Sequence, residues 1–262
     1  MHLARFAQGL GHLHPELENR VLFRTIDSTN AFARRLVEDL QLEGLRPRPT
    51  VIAALHQSQG RGRQGRSWSS PPGLGVSASL VVPLASRQAL PVLPLLVAVA
   101  LCTELNEALD GRCRLKWPND LMVGGRKLAG VLIEVLGGGE SGPLAVIGFG
   151  VNHGQRQNEL PGDAATSLRM ECGRLPSLPR VTGRLVTAVM AELEHLDQPG
   201  RAIERYRELS DHRAGERLRC RTGQGVVEGS FAGYDARGFL RLATPQGELL
   251  LPAGEIEDEA KL

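Results

Sequence analysis

Lysine is almost missing from this 262-residue chain: of 31 basic residues only Lys116, Lys127 and Lys261 are lysines, and arginine fills the other places. Aromatic residues amount to 4%, which counts against a nucleic-acid surface built from stacking rings. A formal net charge of +2 gives no bulk attraction to a polyanion, so any positive site must be local. The four cysteines, Cys102, Cys113, Cys172 and Cys220, have no C-x-x-C spacing and no histidine cluster beside them. They read as buried or incidental thiols in a reducing, cytoplasmic setting, not as a disulfide frame or a zinc site. The longest apolar run, ALPVLPLLVAVALC at 89–102, is too short for a membrane span and carries two prolines, so it reads as a buried helix. The first residues, MHLARFAQGL, lack a signal-peptide core.

What is present is an ordinary globular composition, 42% apolar and 23% charged, in a chain long enough for one large domain and a small one. Lys116 and Lys127 fall in one segment, KWPNDLMVGGRKLAG. Arginine replaces lysine nearly everywhere else, so a compact ammonium kept twice here points to a chemical requirement that a planar guanidinium cannot meet.

The stretch QSQGRGRQGRSWSSPPG at 57–73 satisfies G-x-G-x-x-G through Gly60, Gly62 and Gly65. A dinucleotide fingerprint needs a helix directly after its glycines, and RSWSSPPG forbids one. The positive reading is an anion clamp. Arg61, Arg63 and Arg66 can fork onto carboxylate or phosphate, the glycines let backbone N–H groups approach, and Trp68 offers a stacking face or a lid.

Patterning predicts α+β architecture. DSTNAFARRLVEDLQ opens with cap-type residues and sets Phe32, Leu36, Val37 and Leu40 on one helical face. Strands are expected at VIAALH (51–56), GVSASLVVP, RLKW, DLMV, KLAGVLIEVL and LAVIGFGVN, with a hairpin turn at Gly124–Gly125 and a loop at GGGESG. The apolar stretch from Pro91 to about Leu109 reads as a core helix, and two further helices are expected near 182–196 and 200–209. From about Gly215, four short strand-like runs separated by turns suit a small β-barrel. The expected division is 1–213 and 214–262.

The segments DSTN (27–30), QSQGRGRQGRSW (57–68), KWPND (116–120), RKLAG (126–130), IGFGVN (147–152) and ATSL (165–168) occur in this order. As a set the chain resembles the biotin protein ligases from about residue 21 to 256. The resemblance implies a mixed β-sheet catalytic domain like that of class II synthetases, followed by a small β-barrel. It implies activation of biotin with ATP and Mg²⁺ to biotinyl-5′-AMP, then transfer to a lysine of a biotin carboxyl carrier domain. By the same resemblance Ser28, Thr29, Asn30, Gln57, Arg61, Gly62, Arg63, Lys116 and Gly130 bind biotin. Lys116, Lys127 and Arg63 are the catalytic cations, Arg66, Trp68, Asn119 and Asn152 serve ATP, and Asp120 is a candidate Mg²⁺ ligand. The Gly/Arg loop becomes a lid over the adenylate. About twenty residues precede the first expected strand, too few for the winged-helix domain of regulatory relatives, so no DNA partner is expected. No membrane partner is expected either, and a homodimer is left open. Two rival readings are a lipoate–protein ligase, which shares the adenylation logic, and a nucleic-acid-binding module using the arginine loop.

Overall fold

The computed structural model describes residues 2–88, 90–137 and 142–257. Most of the expected GGGESG loop, and Lys261, lie outside them. Seven strands form one mixed sheet: β1 (Asn19–Phe23), β2 (Thr50–Ala54), β3 (Gly75–Pro83), β4 (Cys113–Lys116), β5 (Asp120–Val123), β6 (Arg126–Leu136) and β7 (Leu144–Asn152). Their spatial order is β1-β2-β3-β7-β6-β5-β4. β1 and β2 run parallel, and every other neighbour is antiparallel. Gly124 and Gly125, both at positive φ, close the β5–β6 hairpin as two-residue turns of that backbone hand require.

The two faces of the sheet are covered unequally. α3 (Leu93–Leu109) is the expected core helix, apolar nearly all round, and it packs with α5 (Leu178–Leu193) and α6 (Pro199–Leu209) on one face, where α1 (Leu3–Gly9) packs on α5. Strand alternation sends Val76, Ala78, Leu80 and Val82 of β3, and Ala145, Ile147, Phe149 and Val151 of β7, into this main core. The opposite face carries one helix, α2 (Thr29–Leu42), started by Ser28, whose hydroxyl accepts from Ala31 N–H at 3.4 Å. Beneath α2, Ala33 and Val37 pack on Ile52, Val81, Leu144 and Val146.

The C-terminal runs form a second sheet: β8 (Arg217–Thr222), β9 (Gly225–Tyr234), β10 (Leu240–Thr244), β11 (Gly247–Leu251) and β12 (Glu255–Glu257). Four of these answer the four expected runs; β12 was not foreseen. The ladders run β11-β10-β9-β8-β12, so a five-stranded sheet is seen, without a pairing that closes it into the expected barrel among the described residues. Trp117 joins the two sheets, donating from its indole to Gly238 O at 3.2 Å, while Ser210 and Tyr234 share a hydroxyl hydrogen bond of 2.9 Å. Three of the four cysteines are buried and Cys172 is half-buried. Among the described residues no helix is long and apolar enough to cross a membrane.

Docking of α1 on α5 depends on missing side chains, that of Gly183 above all. A Cβ on Gly183 of α5 would stand 2.0 Å from the backbone oxygen of Leu10, which follows α1, whereas one on Gly200 of α6 meets nothing within 4 Å. Gly183→Ala should therefore cost ~1–3 kcal/mol by overpacking, and Gly200→Ala should be neutral or stabilising by up to ~1 kcal/mol. Chemical denaturation of the two variants checks the opposite signs.

Candidate active site

The cleft exists because the uncovered face of the sheet runs out of side chains. Registers place Val81, Val146 and Glu134 in one cross-strand row, Ser79, Gly148 and Leu132 in the next, and Ser77, Gly150 and Gly130 in the third. The first row lies under α2. Beyond it the floor is chiefly glycine and serine, and neighbouring groups lie directly on it. A Cβ on Gly148 would stand 2.0 Å from Asn30 Oδ1, and one on Gly150 would stand 2.4 Å from the Trp68 ring. The third row continues through Asp120 to Lys116, which pair across β5 and β4.

One end of the cleft is neutral and polar. Gln57 Oε1 accepts from Thr29 N–H at 2.8 Å, the Ser79 hydroxyl reaches Thr29 Oγ1 at 2.7 Å and Asn30 Oδ1 at 2.6 Å, and Ser28, Thr29, Asn30 and Gln57 are all buried. The first turn of α2 supplies Thr29 and Asn30, so the capping sequence also delivers the polar groups.

The other end is cationic. Arg61, Arg63, Arg66, Lys116 and Lys127 line the cleft against only two carboxylates, Asp120 and Glu255. That local excess sits in a chain of net charge +2, and it suits an anion. Lys127 reaches it through a β-bulge. The β5–β6 register shifts between Leu121 and Met122, so that Asp120 faces Gly130 while Met122 faces Lys127. The extra residue puts Lys127 on the same face as Gly130, where strict alternation would have turned it away. Its ammonium meets Asp120 Oδ1 at 2.7 Å. The segment 164–166 then holds the Lys127 backbone, Lys127 N–H donating to Ala164 O at 2.8 Å and Thr166 N–H to Lys127 O at 2.9 Å.

The Gly/Arg stretch folds as a tight hairpin. Trp68 N–H donates to Gly60 O and Gly62 N–H to Arg66 O, each at 2.8 Å, and a Cβ on Gly60 would press on the Trp68 carbonyl at 2.4 Å. Gln64, at φ 54°, and Gly65, at φ 75°, turn the tip. Arg63 donates to Asn119 Oδ1 at 3.0 Å, and Asn119 is itself fixed by donating its amide to Val131 O. Burial holds the Arg63 guanidinium below its usual pKa, with Asp120 opposing that and Arg66 adding to it. A desolvated cation facing a neutral amide gains most from an arriving anion. Arg66 forks onto Glu255 of β12.

The sequence-derived set is brought together with one exception. Ser28, Thr29, Asn30, Gln57, Arg61, Gly62, Arg63, Arg66, Trp68, Lys116, Asn119, Asp120, Lys127 and Gly130 all line the cleft. Asn152 does not. It is buried and donates to Thr166 O at 2.9 Å, in the segment that holds Lys127. Gly130 has the Lys127–Asp120 pair lying over it, at ordinary contact distance from a Cβ built there. Sequence reasoning missed the roles of Ser79, Gly148 and Gly150, and the presence of Glu255. The two glycines had a signal: in IGFGVN they stand two apart in a strand and so open one face.

Gly150→Ala should lift Trp68 off the floor. Two measurements check this: red-shifted tryptophan emission, and faster proteolysis within residues 60–69 than in Gly173→Ala, whose Cβ would meet nothing.

Comparison with known proteins gives the same picture. The model of the biotin/lipoate A/B protein ligase family matches residues 22–152. The chain is 33% identical over 243 residues to the biotin–[acetyl-CoA-carboxylase] ligase of Paracoccus denitrificans, covering 90% of this chain and 98% of that protein. It is 31% identical over 239 residues to the bifunctional ligase/repressor BirA of Bacillus subtilis (strain 168), covering 88% of this chain and 71% of the relative. The solved structure of biotin protein ligase from Aquifex aeolicus, in complex with biotin and ATP, aligns with a TM-score of 0.76 at 25% identity, over 92% of this chain and 98% of that one. With the family match, these identities and the shared fold, the chain belongs to the biotin/lipoate A/B protein ligase family.

Proposed function

We propose that this chain is a biotin–protein ligase: it activates biotin with ATP to biotinyl-5′-AMP and transfers biotin to a lysine of a biotin carboxyl carrier domain. The observation that carries the reading is the two-ended cleft, neutral amides and hydroxyls at one end and five cations at the other. A molecule with an uncharged urea and an anionic tail matches both ends at once.

In the first half-reaction a carboxylate oxygen attacks the α-phosphorus, and the bond to the leaving pyrophosphate breaks. Two anions must approach each other, and Lys116, Lys127 and Arg63 offset that repulsion where charge builds up. Asn119 orients Arg63, and Asp120 keeps the Lys127 ammonium over Gly130. In the second, the carrier's lysine amine attacks the carbonyl carbon and AMP departs. The hairpin with Trp68 covers the mixed anhydride until then and keeps water from it.

The donor set fits Mg²⁺ arriving with the triphosphate. Among the described residues no group of three or more His, Cys, Asp or Glu could cage a metal, and Mg²⁺ commonly uses one or two carboxylates plus substrate phosphates. Asp120 is the side chain that would meet it, and the ion would mask phosphate charge. In this reading residues 1–213 bind both substrates, while the 214–262 unit, a small barrel in outline, supplies Glu255 at the rim. All these groups come from one chain.

Incubation with biotin, MgATP and a purified carrier domain, followed by intact mass, tests the proposal; an unmodified carrier with no adenylate formed would reject it. Lys116→Arg keeps the charge but not the point-charge shape, and adenylate formation should fall ~10²- to 10³-fold in a pyrophosphate-release assay. Biotin with MgATP should also stabilise the fold more than either alone. The expected gain is about 2.7 kcal/mol at one hundred times the dissociation constant, read as a shift in Tm.

A further inference from the structure

Glu171 ends the short helix α4 (Leu168–Glu171), outside the cleft lining, and its side chain is only 8% exposed. One of its oxygens, Oε1, accepts from Arg126 Nη2 and from the Thr166 hydroxyl, each at 2.6 Å. Arg126 precedes Lys127 on β6, and Thr166 N–H donates to Lys127 O at 2.9 Å. These bonds close a ring around the Lys127 carbonyl. We propose that Glu171 is a positioning residue for adenylate formation: it completes that ring and so fixes where the Lys127 ammonium stands. The inference rests on the biotin reading above.

The bulged strand needs such a device. β6 pairs with β7 only from Ala129 onward, so on that side the Lys127 N–H and carbonyl have no partner in the sheet. Ala164 and Thr166 take that place, as an isolated parallel bridge centred on Ala165. A loop in the role of a strand must itself be held. Thr166 is fully buried, its carbonyl accepts from Asn152 at 2.9 Å, and its hydroxyl is spent on Glu171. Glu171 is tied in turn to the turn before β4 by Arg112, which donates to Oε2 at 2.9 Å and to the Glu171 backbone oxygen.

A carboxylate suits this place. Burial works to raise the Glu171 pKa, but the Thr166 and Arg112 hydrogen bonds and the Arg126 and Arg112 charges outweigh it and hold the group below its usual range. An ionised carboxylate accepts from two guanidinium groups and a hydroxyl at once, and such charge-assisted bonds are the stronger kind. The consequence reaches the cleft through Lys127. The ring fixes the base of that side chain, and Asp120 Oδ1, at 2.7 Å, meets its tip. Misplacing a reacting or stabilising group by ~1 Å can cost on the order of 10²-fold in rate, so the base matters as much as the tip.

Thr166→Val opens the ring at one bond and leaves the backbone bond to Lys127 in place. At saturating biotin and MgATP it should slow adenylate formation by about tenfold, with the Kd for biotin within about twofold of wild type. Thr166→Ser keeps the hydroxyl and should retain most of the rate. Glu171→Ala removes the acceptor altogether and should cost at least as much as Thr166→Val; if either variant fails to fold, the other carries the test. A double-mutant cycle separates positioning from general support. On a Lys127→Met background, where there is no ammonium to place, Thr166→Val should slow the residual rate by less than about twofold. The proposal is overturned if Thr166→Val and Glu171→Ala keep the wild-type rate, or if Thr166→Ser is as slow as Thr166→Val. It is equally overturned if the loss adds in full on Lys127→Met, or if biotin affinity falls as far as the rate. A wild-type protein that forms no biotinyl adenylate would instead count against the biotin reading itself.

Discussion

Everything at the candidate site depends on side chains withheld from one face of a sheet. Val81 and Val146 show what that face does elsewhere: it packs under α2. One and two rows further on, the same strands carry Ser79 and Gly148, then Ser77 and Gly150. Burying a valine is worth ~1.5–3 kcal/mol, so each of these positions forgoes stabilisation that its neighbours obtain. The space gained admits Asn30 and Trp68 to the backbone itself, at separations where a Cβ would overlap them.

The second constraint is placement of charge along the rim of that floor. Lys116, Asp120 and Gly130 follow one another across adjacent strands, and Lys127 joins them through the bulge. The Lys127–Asp120 pair is partly exposed, and such pairs contribute little to stability. Its value is geometric, since it holds an ammonium at a fixed place beside a cationic hairpin. Neutral and cationic ends therefore share one floor, which is what joining a carboxylate to a phosphate requires.

Much of this was legible in the sequence because local rules were obeyed. Apolar periodicity located α2, a continuous apolar run located α3, short apolar or alternating runs located six of the seven strands of the main sheet, and Gly124–Gly125 marked the hairpin. Lysine scarcity singled out Lys116 and Lys127, and both reach the cleft. What stayed hidden depends on register or on distant chain. Without the β5–β6 pairing, nothing local shows that Lys127 and Gly130, three apart in a strand, share a face. Glu255 lies on a three-residue strand too short to show a pattern, and meets Arg66 across most of the chain. Asn152 lies outside the cleft lining, and the partner of its amide, Thr166 O, is fourteen residues away in sequence. The expected barrel was inferred from turn spacing, which fixes the number of strands better than it fixes closure.

The central claim is that the glycine and serine floor carries one ligand with its neutral head toward Gln57 and its phosphate between Lys116, Lys127 and Arg63. A crystal structure with a non-hydrolysable biotinyl-adenylate analogue tests it most directly. The account predicts the bicyclic ring over the floor beside Ser79 and Gly148, its urea at Thr29 and Gln57, and the phosphate mimic at the cationic end under Trp68. An analogue bound in the reverse sense, or seated away from this floor, would contradict it.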